Sequence, residues 1–159
     1  KLFVPEVLIA ARAMHAGLDV LRPFLATGDI TLAGKVIIGT VKGDLHDIGR
    51  KIVASMLQGN GFEVIDLGID VDPEKFVEVV RDNDVQILGL SALLTSTMPM
   101  MEATIKALEK ARLRQKVKVM VGGASVTQAY ADRIGADGYG ADAVAAVEKA
   151  RALISTQPH

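Results

Sequence analysis

The chain has 159 residues, of which 50% are apolar and 23% charged, and its formal net charge is −1. This composition indicates one globular domain with at most a short appendage, and it excludes a disordered chain. The near balance of 18 basic and 19 acidic residues gives no reason to expect a nucleic-acid partner. Because the chain has no cysteine, any metal must be held by His, Asp, Glu or a carrier molecule.

The N-terminal region shows neither a secretory signal nor, like the rest of the chain, an apolar run of about 18 residues. We therefore expect a cytoplasmic protein without a membrane partner. A start at Lys1, directly in a helical pattern, leads us to expect a fragment of a longer sequence.

The first element is an amphipathic helix from Val4 to about Leu25, in which Pro5 fits the first turn. Its apolar residues recur at intervals of three and four: Val7, Leu8, Ala11, Met14, Leu18, Leu21 and Leu25. Gly17 and Pro23 interrupt the pattern, so two shorter helices would also fit.

Five strand-helix units follow. The predicted strands are 35–41, 62–67, 85–90, 117–121 and a weak one near 138–139, and the predicted helices are 48–58, 73–82, 98–112, 126–134 and 141–154. Continuously apolar strands alternating with helices predict an α/β domain with a doubly wound, five-stranded parallel sheet. By analogy with flavodoxin-like domains we expect the strand order 2-1-3-4-5, with ligands at the carboxyl ends of the strands.

Polar and small residues follow the strands at this edge. After strand 1 come Gly43, Asp44, His46, Asp47, Ile48 and Gly49; after strand 3, Ser91, Leu93 and Thr95; after strand 4, Gly122, Gly123 and Ala124; and after strand 5, Tyr139, Gly140 and Ala141. Glycines in these turns predict a trough that accepts a long ligand. Asp47 has two readings, as the N-cap of the helix at Ile48 or as a ligand contact.

Three motifs have the spacing of a known signature. Asp44-x-His46-x-x-Gly49 is followed by Ser91-x-Leu93 after residues 50–90, and by Gly122-Gly123 after residues 94–121. This pattern resembles the cobalamin-binding signature of B12-dependent methyltransferases and carbon-skeleton mutases, whose domain is Rossmann-like. Residues 2–14 resemble the end of the helical cap that precedes this domain in corrinoid proteins of methanol, methylamine and methoxyarene methyltransferase systems. The resemblance implies the last part of a cap over residues 1–33 and a cobalamin-binding domain over residues 34–159.

The resemblance implies that the cofactor is cobalamin or a related cobamide and that His46 binds its cobalt in place of the cofactor's own base. A ligating histidine normally donates its other N–H to a carboxylate, and Asp44 is the expected acceptor. Ser91 is expected to donate a hydrogen bond to Asp44 in turn, so that the three residues together tune the cobalt.

The remaining site residues are expected to hold the cofactor. Gly49, Leu93, Thr95, Gly122 and Gly123 would line a tunnel for the displaced nucleotide tail, with Gly43, Ile48 and Ala124 beside them. Tyr139, Gly140 and Ala141 would close its far side.

The implied function is that of a methyl carrier between a methylated substrate and tetrahydrofolate or a thiol. Its partners would be a substrate:corrinoid methyltransferase, a methylcorrinoid:acceptor methyltransferase and a reductive activase, and the chain alone would turn nothing over. Two alternatives stay open: a B12-dependent sensor and the small subunit of an adenosylcobalamin mutase. A phosphorelay receiver is excluded, because Ser91 and Gly140 stand where it needs Asp and Lys.

Overall fold

The computed structural model describes residues 32–155, which form a five-stranded parallel sheet in the order β2-β1-β3-β4-β5. In chain order the elements are β1 (Gly34–Thr40), α1 (Ile48–Gly59), β2 (Phe62–Asp66), α2 (Pro73–Asp82), β3 (Ile87–Ser91), α3 (Pro99–Lys110), a 3-10 turn (Arg114–Lys116), β4 (Lys118–Gly122), α4 (Gln128–Ile134), β5 (Gly138–Gly140) and α5 (Ala143–Ser155). The helix over residues 4–25 and the cap expected over residues 1–33 fall almost entirely outside the described residues.

The α/β fold class and the strand order are confirmed, and all predicted ends after residue 34 agree within two residues. Four ends differ by two residues: the start of β3, the end of α3, and two helix starts that capping determines. The Thr127 hydroxyl accepts a hydrogen bond from Tyr130 N, so α4 begins at Gln128 rather than at Val126, which is buried. The Asp142 carboxylate accepts one from Ala145 N, and α5 begins at Ala143 rather than Ala141.

The sheet has a helical layer on each face, and each layer covers its own apolar core. Val36 and Ile87 pack with α1 and α5, whereas Ile37 and Leu88 pack with α2, α3 and α4 on the opposite face. This alternation is the period-2 pattern of strand side chains, and it explains why the strands read as continuously apolar. Burial of each large side chain contributes about 1.5–3 kcal/mol.

Strand register determines which residues meet at the carboxyl edge. One row across the sheet joins Thr40, Ser91, Gly122 and Gly140. The loops that follow β1, β3, β4 and β5 therefore leave the sheet side by side, as expected. None of the helices within residues 32–155 is long and apolar enough to cross a membrane.

Candidate functional site

The loop between β1 and α1, residues 41–47, presents a histidine ring backed by a buried carboxylate; we call it the histidine loop. His46 Nδ1 lies 2.9 Å from Asp44 Oδ1, and His46 N donates to the same oxygen at 3.0 Å. The His46 side chain is 52% exposed and that of Asp44 is 0% exposed. The predicted pairing of Asp44 with His46 is therefore present, and the ring is held at Nδ1 while about half of its side chain stays exposed.

The second oxygen of Asp44 is held by the loop after β3. It accepts hydrogen bonds from Thr97 Oγ1 at 2.6 Å and from Leu93 N at 2.8 Å. Burial by itself raises the pKa of the Asp44 carboxyl, but the bonds from Thr97, His46 and Leu93 outweigh burial and hold that pKa well below its usual range. An ionised carboxylate only accepts hydrogen bonds, so His46 Nδ1 is the donor of this contact.

The expectation that Ser91 donates to Asp44 was wrong, because the side chain in that position is Thr97. Ser91 ends β3 in register with Thr40 and Gly122, and it lines the cavity described below. Thr97 is brought to Asp44 only because the chain turns back over residues 92–97, where Thr97 N also donates to Leu94 O. The run of hydroxyl residues Thr95-Ser96-Thr97 was the signal in the sequence.

The loop between β2 and α2 holds the histidine loop from the other side. Asp70 Oδ1 accepts from Gly43 N at 2.7 Å, and Asp70 N donates to Asp44 O at 3.1 Å. Asp70 adopts φ 52°, a left-handed conformation that costs a non-glycine residue about 1 kcal/mol. Sequence reasoning missed Asp70, because nothing in its spacing shows that it meets Gly43.

A buried arginine supports the end of the same loop. Arg50 is 4% exposed; its Nε donates to Asp66 at 2.9 Å and one terminal nitrogen donates to Thr40 Oγ1 at 3.0 Å. The Thr40 hydroxyl in turn donates to His46 O at 3.0 Å. Arg50, Asp66 and Thr40 thus fix the backbone of His46, and none of them was singled out from sequence.

A cavity of about 350 Å³ lies beside His46, between the sheet and the layer of α1 and α5. Nine of the predicted site residues line it: His46, Gly49, Ser91, Leu93, Gly122, Gly123, Ala124, Gly140 and Ala141. Its volume falls in the ~300–1,000 Å³ range of small-molecule sites. The predicted trough is therefore present at the carboxyl edge.

The other predicted site residues stand outside the cavity wall. Asp44 and Gly43 lie behind the ring, Ile48 and Thr95 are exposed beside the cavity, and Asp47 pairs with Lys51 at 2.9 Å. Asp47 occupies the N-cap position of α1, but its side chain makes no capping bond.

Tyr139 is the clearest departure. It packs against the core on the opposite face of the sheet, so its side chain does not close the cavity as expected.

Glycines at the end of β4 let two backbones approach where a side chain would interfere. A Cβ on Gly123, which has φ 137°, would overlap the carbonyl oxygen of Ala92, and one on Gly122 would lie 3.1 Å from Gly140 O. Gly49 differs, because a Cβ there would meet nothing within 4 Å. Gly122 and Gly123 therefore shape the wall, whereas Gly49 keeps open space free.

The donor set fits a cofactor that brings its own metal. Within residues 32–155 no group of three or more His, Cys, Asp and Glu side chains could hold a metal ion. His46 supplies one imidazole nitrogen, and the Asp44 carboxylate contacts the other in the arrangement that orients metal-bound histidines. An open, glycine-lined cavity beside it gives room for the rest of such a molecule.

Residues 34–148 match the family model described as "B12 binding domain". "Dimethylamine corrinoid protein 3" of Methanosarcina mazei is 47% identical over 156 residues, which cover 98% of this chain and 93% of that protein. "Trimethylamine corrinoid protein 2" of Methanosarcina acetivorans is 50% identical over 157 residues, 98% of this chain and 72% of that protein. The chain belongs to the B12-binding domain family of corrinoid proteins, and its cofactor is a cobalamin or a related cobamide.

Solved structures of cobalamin-binding and corrinoid proteins also match this chain. A cobalamin-binding protein from Desulfitobacterium hafniense has a TM-score of 0.81 at 35% identity, covering 96% of this chain and 71% of that one. The monomethylamine corrinoid protein of Methanosarcina barkeri has a TM-score of 0.74 at 35% identity, covering 96% and 72%. A methanol:cobalamin methyltransferase complex from the same organism gives 0.76 at 31% identity, covering 98% and 59%. A LuxR-family response regulator of Staphylococcus aureus, at 0.57 and 13% identity, shares the fold alone.

Proposed function

We propose that the chain is a corrinoid methyl carrier in which His46 would hold the cobalt of the cofactor. The observation that carries the proposal is the chain of contacts from His46 Nδ1 to Asp44 and from Asp44 to Thr97, at 2.9 and 2.6 Å. When bound, the cofactor supplies a cobalt centre that accepts and releases a methyl group. The protein supplies a nitrogen ligand, a cavity and a fixed orientation.

Asp44 has a defined task in this proposal. Its low pKa keeps it anionic, so that it holds the proton on Nδ1 and raises the basicity of Nε2. Thr97 and Leu93 N keep the carboxylate oriented, because both hydrogen bonds end on its second oxygen. The ring is therefore ready to bind a metal without rearrangement of the loop.

The cavity is proposed to take the nucleotide tail that His46 displaces. Its wall is formed by the small residues Gly122, Gly123 and Ala124 at the end of β4 and by Gly140 and Ala141 after β5. These residues leave the space between the sheet and the layer of α1 and α5 unfilled. Residues 1–33 are proposed to be the last part of a cap over the cobalt, and residues 34–159 the cobalamin-binding domain.

The names of the relatives support a methylated amine as the methyl donor, since dimethylamine and trimethylamine corrinoid proteins match at 47–50% identity. The proposed partners are a methylamine:corrinoid methyltransferase, a methyltransferase that passes the methyl group to a thiol or tetrahydrofolate, and a reductive activase. The same relatives favour methyl transfer over a mutase subunit or a sensor. A cytoplasmic location without membrane or nucleic-acid partners stays a prediction.

The proposal is tested by loading the purified chain with hydroxocobalamin and recording its absorption spectrum before and after a methylamine and its methyltransferase are added with a reductant. We expect a spectrum typical of histidine ligation, which changes when the methyl group is transferred. His46→Gln should lose this spectrum and most of the transfer rate, whereas the exposed control Lys51→Gln should keep both. A His46→Gln protein with unchanged spectrum and rate would show that His46 is not the ligand.

A further inference from the structure

The cavity has an outer and an inner half that differ in polarity. The outer half lies at the row that joins Thr40, Ser91 and Gly122. The inner half lies two residues earlier along the strands, at the row Ile38, Gly89 and Met120, about 7 Å deeper. Side chains of the two rows share one face of the sheet, which is the face covered by α1 and α5.

The outer half carries the polar side chains of the wall. Arg50 binds Thr40 there, Ser91 ends β3, and Asp142 caps α5, while His46 stands at the rim. The phosphate and the sugar of a nucleotide tail need hydrogen-bond partners, and the polar side chains of the outer half can supply them. Water reaches it as well, because His46 is half exposed.

The inner half is apolar. Ile38 and Met120 from the sheet line it together with Val53 and Ala146 from the helices, and no other polar side chain of residues 32–155 lines the cavity. The backbone groups of β1, β3 and β4 pair with one another in the parallel ladder. One row further back on the same face, Val36 and Ile87 are buried in the apolar core under α1 and α5.

Gly89 creates the room in this half. It stands in the middle of β3, with Ile38 in register on one side and Met120 on the other. A Cβ on Gly89 would lie 3.4 Å from Ile38 Cγ1, which is an ordinary contact, so alanine fits there but fills part of the cavity.

We infer that this chain selects cobamides whose lower base is an apolar ring over cobamides whose lower base is a purine. The inference rests on the proposed function, in which the nucleotide tail occupies the cavity. The base ends the tail and therefore reaches the inner half. The edge of adenine would leave its hydrogen bonds to water and find no partner among Ile38, Val53 and Met120. Each unmade hydrogen bond lowers the affinity about tenfold or more.

The test compares the affinities of the wild-type chain for a phenolyl cobamide and an adeninyl cobamide, measured by equilibrium dialysis. We expect the phenolyl cobamide to bind at least about tenfold more tightly. Met120→Gln, which places an amide in the inner half, should narrow this ratio several-fold. Met100→Gln is the matched control, because Met100 packs against the core on the opposite face. The two free cofactors differ in how readily each binds its own base to cobalt. This difference is the same for every variant, so it cancels when the affinity ratio of a variant is compared with that of the wild type.

A second variant does not depend on a buried amide. Gly89→Ala should weaken binding of the phenolyl cobamide and leave cobinamide, which has no lower base, unaffected. Equal affinity of the wild-type chain for both cobamides, or a ratio that Met120→Gln moves no more than Met100→Gln, would overturn the inference. If both cobamides bind equally and His46→Gln weakens both, the selectivity fails while the proposed function stands. If neither cobamide nor cobinamide binds, the proposed function itself fails.

Discussion

Asp44 and Thr97 stand 53 positions apart in the chain, and a 2.6 Å hydrogen bond joins them behind the His46 ring. The bond crosses from the loop after β1 to the loop after β3, the two strands that pair in register through Thr40 and Ser91. The orientation of the proposed metal ligand thus depends on the pairing of two strands, not on its own loop alone.

Replacing Thr97 by valine keeps the shape of the side chain and removes the hydroxyl. We expect Thr97→Val to lower the affinity for hydroxocobalamin roughly 10- to 100-fold, the usual effect of losing a group that supports a metal ligand. Thr97→Ser should restore most of it, and Ser91→Ala should lower it less than Thr97→Val does. Equilibrium dialysis measures the affinities. If Ser91→Ala lowers the affinity for hydroxocobalamin more than Thr97→Val does, Ser91 and not Thr97 supports the Asp44–His46 pair.

The Asp44 carboxyl should make the cofactor-free chain sensitive to acid. Its pKa is lower in the folded chain than in the unfolded chain, so its contribution to stability is complete above the unfolded pKa of about 3.9. That contribution is lost as the pH falls through the folded pKa. Urea unfolding at pH 7, 5, 4 and 3 should show a smaller loss of stability for Asp44→Asn than for wild type. The exposed control Asp82→Asn should follow the wild-type profile.

Asp70 gives a prediction about the histidine loop before any cofactor binds. Asp70→Ala removes the acceptor of Gly43 N and keeps the left-handed backbone, so we expect a loss of about 1–2 kcal/mol in the free energy of unfolding. The amide of Gly43 should also exchange its hydrogen faster. Asp70→Asn retains an acceptor and should protect this amide. Asp72→Ala, which removes only the exposed pair with Lys42, serves as the control. If the amide hydrogen of Gly43 exchanges at the same rate in Asp70→Ala as in wild type, Asp70 does not hold the histidine loop.

Two glycines of the signature should respond in opposite ways to alanine. Gly123→Ala forces a side chain onto the Ala92 carbonyl at φ 137°, and we expect it to destabilise the fold by at least about 2 kcal/mol. Gly49→Ala meets open space within α1, so the fold should gain about 0.5–1 kcal/mol while cofactor affinity falls. Thermal unfolding and dialysis of the two variants separate these effects. A destabilised Gly49→Ala chain would show that this space is closed in solution.

Local pattern was sufficient for the fold and for half of the site. Apolar runs and turn residues place every strand within two residues, and Asp44 and His46 lie in one loop, so their contact follows from spacing. Thr97 and Asp70 could not be predicted this way, since each meets the histidine loop through a contact that only the folded sheet creates. Tyr139 was misplaced because β5 has three residues, too few for the alternation to show which face its side chain takes.

The contacts that hold the histidine loop also determine at what stage of folding the site is complete. The groups that hold Gly43 and Asp44 come from residues 27 to 53 positions further along the chain, so the carboxylate that orients the imidazole is itself fixed only after β1 has paired with both neighbours. We therefore expect the chain to bind its corrinoid after it has folded, and not while it is still being synthesised.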